Sequence, residues 1–209
     1  ATYVRFFYAV PFAFLYLFIL NQFFYLPLPE PNANFIIFGI IGGGTQIIAT
    51  ALLVYLFSFR NFAVGTAYSK TETAQTAVFG LIILGDPLTP GAIIGIMISL
   101  VGVMAISTAR QENGLKNIIQ SLSQKTALSG LASGAMFGMS AISYRAASLS
   151  LGGEGVVIQA AYTLACVTVF QTLIMTVYLQ VKEKGEVINV LKNWRIAILV
   201  GLSGMIGSA

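Results

Sequence analysis

The sequence predicts an all-α fold, a polytopic bundle of about seven transmembrane helices. Its 209 residues are 57% hydrophobic and only 9% charged, whereas a soluble domain carries about 25% charged residues. The apolar residues are grouped in long stretches, with short polar or proline-rich links between them. Because hydrocarbon tolerates no unpaired backbone groups, each stretch must pair its own, and these lengths suit helices rather than barrel strands of about 10 residues.

Seven apolar stretches follow one another along the chain. They cover residues 6–26, 35–57, 62–84, 90–109, 126–149, 156–181 and 196–209. The first six are each about 20 residues or longer, enough to cross about 30 Å of hydrocarbon at 1.5 Å per residue. The seventh is shorter and runs to the last residue, so we expect the chain to be a fragment of a longer protein.

Proline, glycine and charge mark the links between the stretches. Three prolines between residues 27 and 31 predict an extended first loop. Residues 85–87 (G-D-P) predict a short turn. The longest link, residues 111–125, carries apolar residues at helical spacing and is expected to lie on the membrane surface. Residues 182–195 are charged and include Trp194, a residue type that anchors at membrane interfaces.

The placement of lysine and arginine predicts an orientation. Nine of the 11 basic residues fall on the side where the first stretch begins, Arg145 falls on the other side, and Lys70 lies within the third stretch. The positive-inside rule makes the basic side cytoplasmic. The net charge of +4 is explained in this way, so we expect a lipid bilayer and no nucleic acid as the partner.

Composition also argues against several kinds of chemistry. The chain has no histidine and one cysteine, so the commonest zinc and haem ligands are scarce and no disulfide can form within it. We therefore expect no cofactor and no metal site, and Cys166 is predicted to be a small buried hydrophobe. There is no phosphate-binding loop of the G-x-x-x-x-G-K-[ST] type, and no nucleophile can use histidine as its base. An enzyme is not expected.

The third stretch carries the most informative polar residues. Counted from Phe62, Lys70 lies about 12 Å and Glu72 about 15 Å along a helix, and an ionised group at that depth costs at least ~2.5 kcal/mol. The two are about 200° apart around a helix, so they cannot face the same neighbour. Each is predicted to be a substrate or proton ligand; the alternatives are an interhelical salt bridge and, for Lys70 above all, a charge that reaches the interface.

Further polar side chains complete the candidate site. The candidate substrate-binding residues are Glu72, Lys70, Gln46, Thr45, Tyr68 and Gln75. Thr45 and Gln46, in the second stretch, could equally be interhelical hydrogen-bonding groups, as could Gln159 in the sixth. Arg145 is expected to extend to the interface. No catalytic residue is predicted.

Small residues pattern the stretches. Two stripes have the small-xxx-small spacing that lets helix backbones approach closely in lipid: Gly91, Gly95, Ser99 and Gly102, and Gly130, Gly134 and Gly138. Residues 42–44 are three consecutive glycines, which predict either a bend or unwound turn near a cavity, or close packing. Pro11 is expected to kink the first helix. Residues 39–45 (G-I-I-G-G-G-T) faintly repeat in residues 201–207 (G-L-S-G-M-I-G), five stretches later.

The chain resembles the EamA-like branch of the drug/metabolite transporter superfamily. The resemblance centres on residues 68–107, where a polar start leads through an apolar run to residues 84–89 (L-G-D-P-L-T), similar to the family's L-G-E/D-x-L-S/T turn. Gly95 and residues 100–103 (L-V-G-V) are similar to its G-x-x-x-I-x-x-G-V helix. Two flanking segments resemble the family's second and sixth helices: Arg5-Phe6 with Pro11, and residues 130–147.

The resemblance implies ten helices in two inverted five-helix repeats. Residues 1–109 would hold four helices of the first repeat, residues 110–125 the connecting loop, and residues 126–209 the first three helices of the second, the last of them truncated. The central cavity would involve the second, third, fifth and seventh stretches. The family usually places both termini in the cytoplasm, which would put the start of this chain outside, opposite to the charge distribution. The absolute orientation is left open.

These observations lead to a functional hypothesis with a rival. The leading expectation is a secondary transporter that moves amino-acid-, nucleoside- or drug-like metabolites by alternating access, with protons as a candidate coupling ion at Glu72. We expect multi-pass placement in a cell membrane of the bacterial inner-membrane kind, and a homodimer is compatible with the sequence. The rival is a non-transporting helical scaffold, receptor or assembly subunit, in which Lys70 and Glu72 only pair and hold the bundle together.

Overall fold

The computed structural model describes residues 2–59, 62–109, 125–153, 155–183, 185–192, 194 and 197–201. Every regular element within these ranges is helical, which confirms the all-α class. The helices are α1 (Thr2–Phe23), α2 (Ala33–Leu56), α3 (Phe62–Ser69), α4 (Glu72–Phe79), a π-helical turn (Gly80–Leu84), α5 (Pro90–Ala109), α6 (Lys125–Ser150), α7 (Val156–Lys182) and α8 (Glu186–Lys192). The predicted surface segment 111–125, all but its last residue, lies outside the described residues.

Three of the described helices are long and apolar enough to cross a membrane. They are Tyr3–Phe23, Ala33–Leu56 and Val156–Lys182, and Pro90–Val103 is a shorter apolar helix. The chain is therefore a membrane-embedded helical protein by composition, while the count of seven spans stays a prediction. The seventh stretch falls mostly on residues outside the described ranges, since residues 196 and 202–209 are not described. For the third and fifth stretches a physical reason is visible. The third stretch is interrupted into shorter helices, and α6 is diluted by glycine, alanine and serine, which are less apolar than leucine or isoleucine.

The chain forms two compact units. One comprises Ala1–Gly44 and Ser143–Ala209, and the other comprises Thr45–Ile142. The boundaries between them fall within α2 and within α6, so each of these helices contributes to both units. This grouping reflects contacts in space and does not bear on the repeat boundaries expected from the sequence, which stay predictions.

The first unit is built on the packing of α1 against α7. Their contact is lined by small side chains, with Ala13, Ala161 and Ala165 no more than 1% exposed, so the two backbones approach closely. The Thr176 hydroxyl donates to the Tyr3 hydroxyl over 3.1 Å near the start of α1. α1 continues as a helix through Pro11 and beyond it.

The glycine triplet of α2 is used for packing. The helix is continuous through residues 42–44, so it has no unwound turn. A Cβ atom at Gly42 would lie 2.6 Å from the Tyr144 ring, and one at Gly43 would lie 2.7 Å from the Phe170 ring. Both distances are too short for a larger residue, so the structure supports close packing of the two interpretations left open by the sequence.

The second unit contains the second half of α2, α3, α4, the π-helical turn, α5 and the first part of α6. Gly85 closes the π-helical turn in the left-handed region (φ 70°), and the hydroxyl of Thr89 accepts a hydrogen bond from the Ala92 N–H at the start of α5. The residues of the L-G-D-P-L-T motif thus form a helix end, a turn and a helix cap. Each role suits its residue type, because glycine adopts a positive φ and threonine caps helices.

Candidate functional site

The centre of the candidate site is an interruption between α3 and α4. At Lys70 and Thr71 the backbone N–H groups donate to the carbonyls of Ala67 and Tyr68, three residues back, rather than four as in an α-helix. Regular α-helical bonding resumes with the Gln75 N–H, which donates to the Thr71 carbonyl. The third apolar stretch is therefore two short helices with a tight turn between them, about 12 Å along the stretch from Phe62.

Two hydroxyl side chains bond to backbone carbonyls at the interruption. Ser69 Oγ donates to the Thr66 carbonyl over 2.8 Å, and Thr71 Oγ1 donates to the Tyr68 carbonyl over 2.7 Å. The Thr66 carbonyl is the acceptor that the Lys70 N–H would use in a continuous α-helix. Serine and threonine hydroxyls that compete for such carbonyls weaken and bend helices. The local sequence S-K-T thus favours the turn.

Helix α6 packs directly against the interruption through its glycine stripe. A Cβ atom at Gly130 would collide with the Gly65 carbonyl, one at Gly134 would lie 2.9 Å from the Ser69 carbonyl oxygen, and one at Gly138 would lie 2.9 Å from Thr76 Oγ1. The numbering rises together on both sides, so α6 runs in the same direction as α3 and α4. This stripe confirms the packing predicted for Gly130, Gly134 and Gly138.

The second predicted stripe behaves differently. Cβ atoms at Gly91, Gly95 and Gly102 of α5 would meet nothing within 4 Å, and all three glycines are exposed. Within the described ranges, the expected packing of this stripe is therefore not made. The spacing of small residues shows which helix face could accept a neighbour, but it does not show whether a neighbour is there.

Gln75 fastens the turn to α6. Its Nε2 donates to Thr71 Oγ1 over 2.8 Å and lies 3.4 Å from the Leu131 carbonyl oxygen on α6. Thr71 Oγ1 in turn donates to the Tyr68 carbonyl, so an amide and a hydroxyl form a short chain of hydrogen bonds across the turn. The Tyr68 side chain is 5% exposed. Tyr68 and Gln75 therefore hold the shape of the turn.

The two charged residues lie at the turn itself. Lys70 is exposed, and Glu72, the first residue of α4, is half-buried. A carboxylate in the first turn of a helix is stabilised by the partial positive charge of the N-terminus. In the part of the chain that the structure describes, no salt bridge joins Lys70 or Glu72 to another helix. Among the described residues, Lys70 and Glu72 therefore do not form the interhelical ion pair that the sequence left open as an alternative.

The other predicted site residues lie on α2. Thr45 and Gln46 are half-buried, and the Gln46 carbonyl accepts a hydrogen bond from Thr50 Oγ1 over 2.8 Å. One turn further along α2, the Ala49 carbonyl accepts a hydrogen bond from buried Ser133 Oγ on α6. Tyr68, Lys70, Glu72 and Gln75 are thus brought together at the turn, whereas Thr45 and Gln46 belong to a neighbouring helix of the same unit.

The structure adds polar residues that the sequence analysis did not single out. Ser140 of α6 is 2% exposed, and its hydroxyl has no hydrogen-bond partner among the described residues. In the first unit, Gln171 is 1% exposed, and its Nε2 lies 3.3 Å from the Gly43 carbonyl oxygen and 3.1 Å from the Tyr144 hydroxyl. A glutamine inside an apolar stretch is a usable signal. Gln159, which the same pattern indicates, donates to the Gly152 carbonyl in the loop before α7 rather than to another helix.

Among the residues that the structure describes, no group of three or more histidine, cysteine, aspartate or glutamate side chains is placed to hold a metal ion. No family model, no curated protein and no solved structure matches the chain. The resemblance to the EamA-like branch stays a prediction that rests on residues 68–107.

Proposed function

We propose that the protein is a secondary carrier whose substrate site is the interrupted helix between Ser69 and Glu72. The observation that supports this most is a helix break that carries Lys70 and Glu72 in the middle of an apolar stretch. In several transporter folds, discontinuous helices of this kind place helix ends and polar groups at the binding site near the bilayer midplane. The cargo would be amino-acid-, nucleoside- or drug-like, as the resemblance to the EamA-like branch implies.

The residues at the turn would have different roles in binding. Glu72 would accept a proton or a cationic group of the substrate, because a half-buried carboxylate inside a membrane is retained where it has a function. Lys70 would bind an anionic group. Tyr68 and Gln75 would keep the turn in shape.

A second candidate function is a non-transporting scaffold. The feature that favours it is the close fit of the α6 glycine stripe against α3 and α4, together with the bond between Gln75 and Leu131. Such contacts hold helices rigidly, which a scaffold requires. A carrier also needs rigid helices within each moving part, so transport measurements must decide between the two.

The test is a vesicle assay with the full-length protein. Purified protein is reconstituted in liposomes that contain a pH-sensitive dye, and amino acids, nucleosides and cationic drugs are added as separate probes. The proposal expects at least one class to move protons, and expects Glu72→Gln to abolish that signal while leaving expression and detergent stability unchanged. Glu186→Gln is the matched control, because Glu186 is an exposed carboxylate on α8.

The outcomes separate the two functions. Proton movement that survives in Glu72→Gln removes Glu72 from the mechanism. Absence of a signal with every probe class, in protein that is folded and correctly reconstituted, contradicts proton-coupled transport of these classes and favours the scaffold. A charge-swapped variant, Lys70→Glu with Glu72→Lys, adds a check: a scaffold tolerates the swap, whereas the proposed carrier loses transport.

A further inference from the structure

Helix α8 begins directly after a helix that is long enough to span the membrane. The candidate span Val156–Lys182 ends at Lys182, and α8 begins at Glu186. Between them the chain turns at Gly185, whose φ of 101° is accessible mainly to glycine. Because the turn is only a few residues long, α8 must lie at the level where α7 leaves the hydrocarbon.

The short helix α8 has distinct faces. Val187 and Val190 are half-buried, and the Tyr8 hydroxyl of α1 donates to the Val190 carbonyl over 3.1 Å, which fixes this face against the bundle. A second face is apolar yet exposed: Ile188 is 58% and Leu191 49% exposed. Trp194, two residues after the end of α8, is 52% exposed.

Basic residues lie before α8 and at its end along the chain. Lys182 and Lys192 lie in the last turns of α7 and α8, and both are exposed. The same segment of sequence also contains Lys184 and Arg195, against the acidic residues Glu183 and Glu186. Over residues 182–195 the sequence therefore has four basic and two acidic residues, and the described part of this segment adds an exposed apolar face and an exposed tryptophan.

We propose that α8 lies in the headgroup layer and binds anionic phospholipids. Ile188, Leu191 and Trp194 would enter the boundary between headgroups and acyl chains, as the apolar face of an interfacial helix does. Lys182 and Lys192 would contact lipid phosphates. Charge complementarity favours an anionic lipid surface over a soluble protein partner, and the position of α8 at the end of a spanning helix places that surface within reach.

The chain contains its own reporter for this site. Trp194 is the only tryptophan among these 209 residues, so intrinsic fluorescence reports on the segment just after α8 once every tryptophan in the rest of the full-length protein is replaced by phenylalanine. Full-length protein is reconstituted in vesicles that contain both phosphatidylcholine and phosphatidylglycerol. In one preparation the phosphatidylglycerol carries bromine on its acyl chains, and in the other a matching fraction of the phosphatidylcholine does. Bromine quenches tryptophan at short range, so the two vesicle types compare the lipids that contact Trp194.

The proposal expects stronger quenching by brominated phosphatidylglycerol than by brominated phosphatidylcholine. A basic residue near an anionic surface contributes about a fivefold preference, so the Lys182→Gln, Lys192→Gln double variant should lower the relative affinity for phosphatidylglycerol by roughly 5- to 30-fold. Lys125→Gln, an exposed lysine on α6, is the control and should leave the preference unchanged.

Two results would overturn the proposal. Equal quenching by the two lipids at low salt would show that the site does not select anionic headgroups. Absence of quenching by either lipid would show that Trp194 does not contact acyl chains, so that protein or water covers the face. Both results remain interpretable if the double variant misfolds, because they are measured on the chain with both lysines in place.

Discussion

The packing of α6 against the interrupted helix can be tested by a single methyl group. In Gly134→Ala the new Cβ atom would lie 2.9 Å from the Ser69 carbonyl oxygen and 3.3 Å from the Glu72 nitrogen, whereas carbon and carbonyl oxygen normally stay about 3.3 Å or more apart. The neighbouring atoms are backbone, so they cannot rotate away, and overpacking of this kind costs about 1–3 kcal/mol. In Gly95→Ala the same methyl group meets nothing within 4 Å.

Comparing the two variants isolates the collision. Both glycines are within helices, so both variants gain about 0.5–1 kcal/mol from the lower flexibility of alanine, and this gain cancels in the comparison. We expect Gly134→Ala to be less stable than Gly95→Ala by about 1–3 kcal/mol, a change of roughly 5- to 150-fold in the folding equilibrium. Reversible unfolding in mixed micelles, followed by circular dichroism, measures the difference. Equal stabilities would refute the described contact between α6 and the turn.

Two further predictions concern hydrogen bonds in the first unit. Gln171→Leu keeps the side-chain volume but removes the amide that donates to the Tyr144 hydroxyl. Unfolding in micelles should show that the free energy of unfolding falls by about 0.6–1.7 kcal/mol, the range of interhelical hydrogen bonds in membrane proteins. An unchanged stability would show that the bond is not formed. Asn32→Ala removes the side-chain oxygen that accepts the Phe35 N–H at the start of α2 and the amide that donates to the Ser150 carbonyl, and it should lower stability by about 1–2 kcal/mol. Asn32→Ser keeps a capping oxygen and loses only the bond to Ser150, so it should lose less. Equal losses in the two variants would contradict the capping role.

Helix positions could be predicted closely from the sequence. The stretch predicted at residues 90–109 is the helix Pro90–Ala109, and the stretch at residues 126–149 is Lys125–Ser150. These helices have clear start signals, because Thr89 caps α5 and proline suits the first helical position. Long apolar segments between polar links leave the backbone no alternative to helix in hydrocarbon.

The break in the third stretch could not be predicted in the same way. Apolar residues continue on both sides of it, so the composition indicates one long helix. The bonds that Ser69 and Thr71 donate to carbonyls at the break are seen only in the structure. The glycine triplet at residues 42–44 is the opposite case. Three glycines are weak helix formers, yet α2 remains helical there because neighbouring rings pack against it. Local competition for hydrogen bonds and tertiary packing decided these two places.

The candidate site was predictable in part for a related reason. Ionisable residues deep in an apolar stretch are conspicuous in a sequence, and so Lys70 and Glu72 could be identified. Neutral residues such as Gln171 and Ser140 are less conspicuous, and their importance appears only from their burial and bonding. Side chains of this kind serve equally well in packing and in binding, so only their neighbours distinguish the two.

The most direct test of the account asks whether water reaches the interrupted helix inside the membrane. Cys166 is the only cysteine, so Cys166→Ser provides a background in which Lys70→Cys is the single thiol. A thiol reacts as the charged thiolate, and this form requires water around it. We therefore predict that a membrane-impermeant maleimide modifies Lys70→Cys at least about tenfold faster than Ile98→Cys. Ile98 is an exposed apolar position on α5. Equal protection of the two thiols would contradict a water-accessible polar site at Lys70.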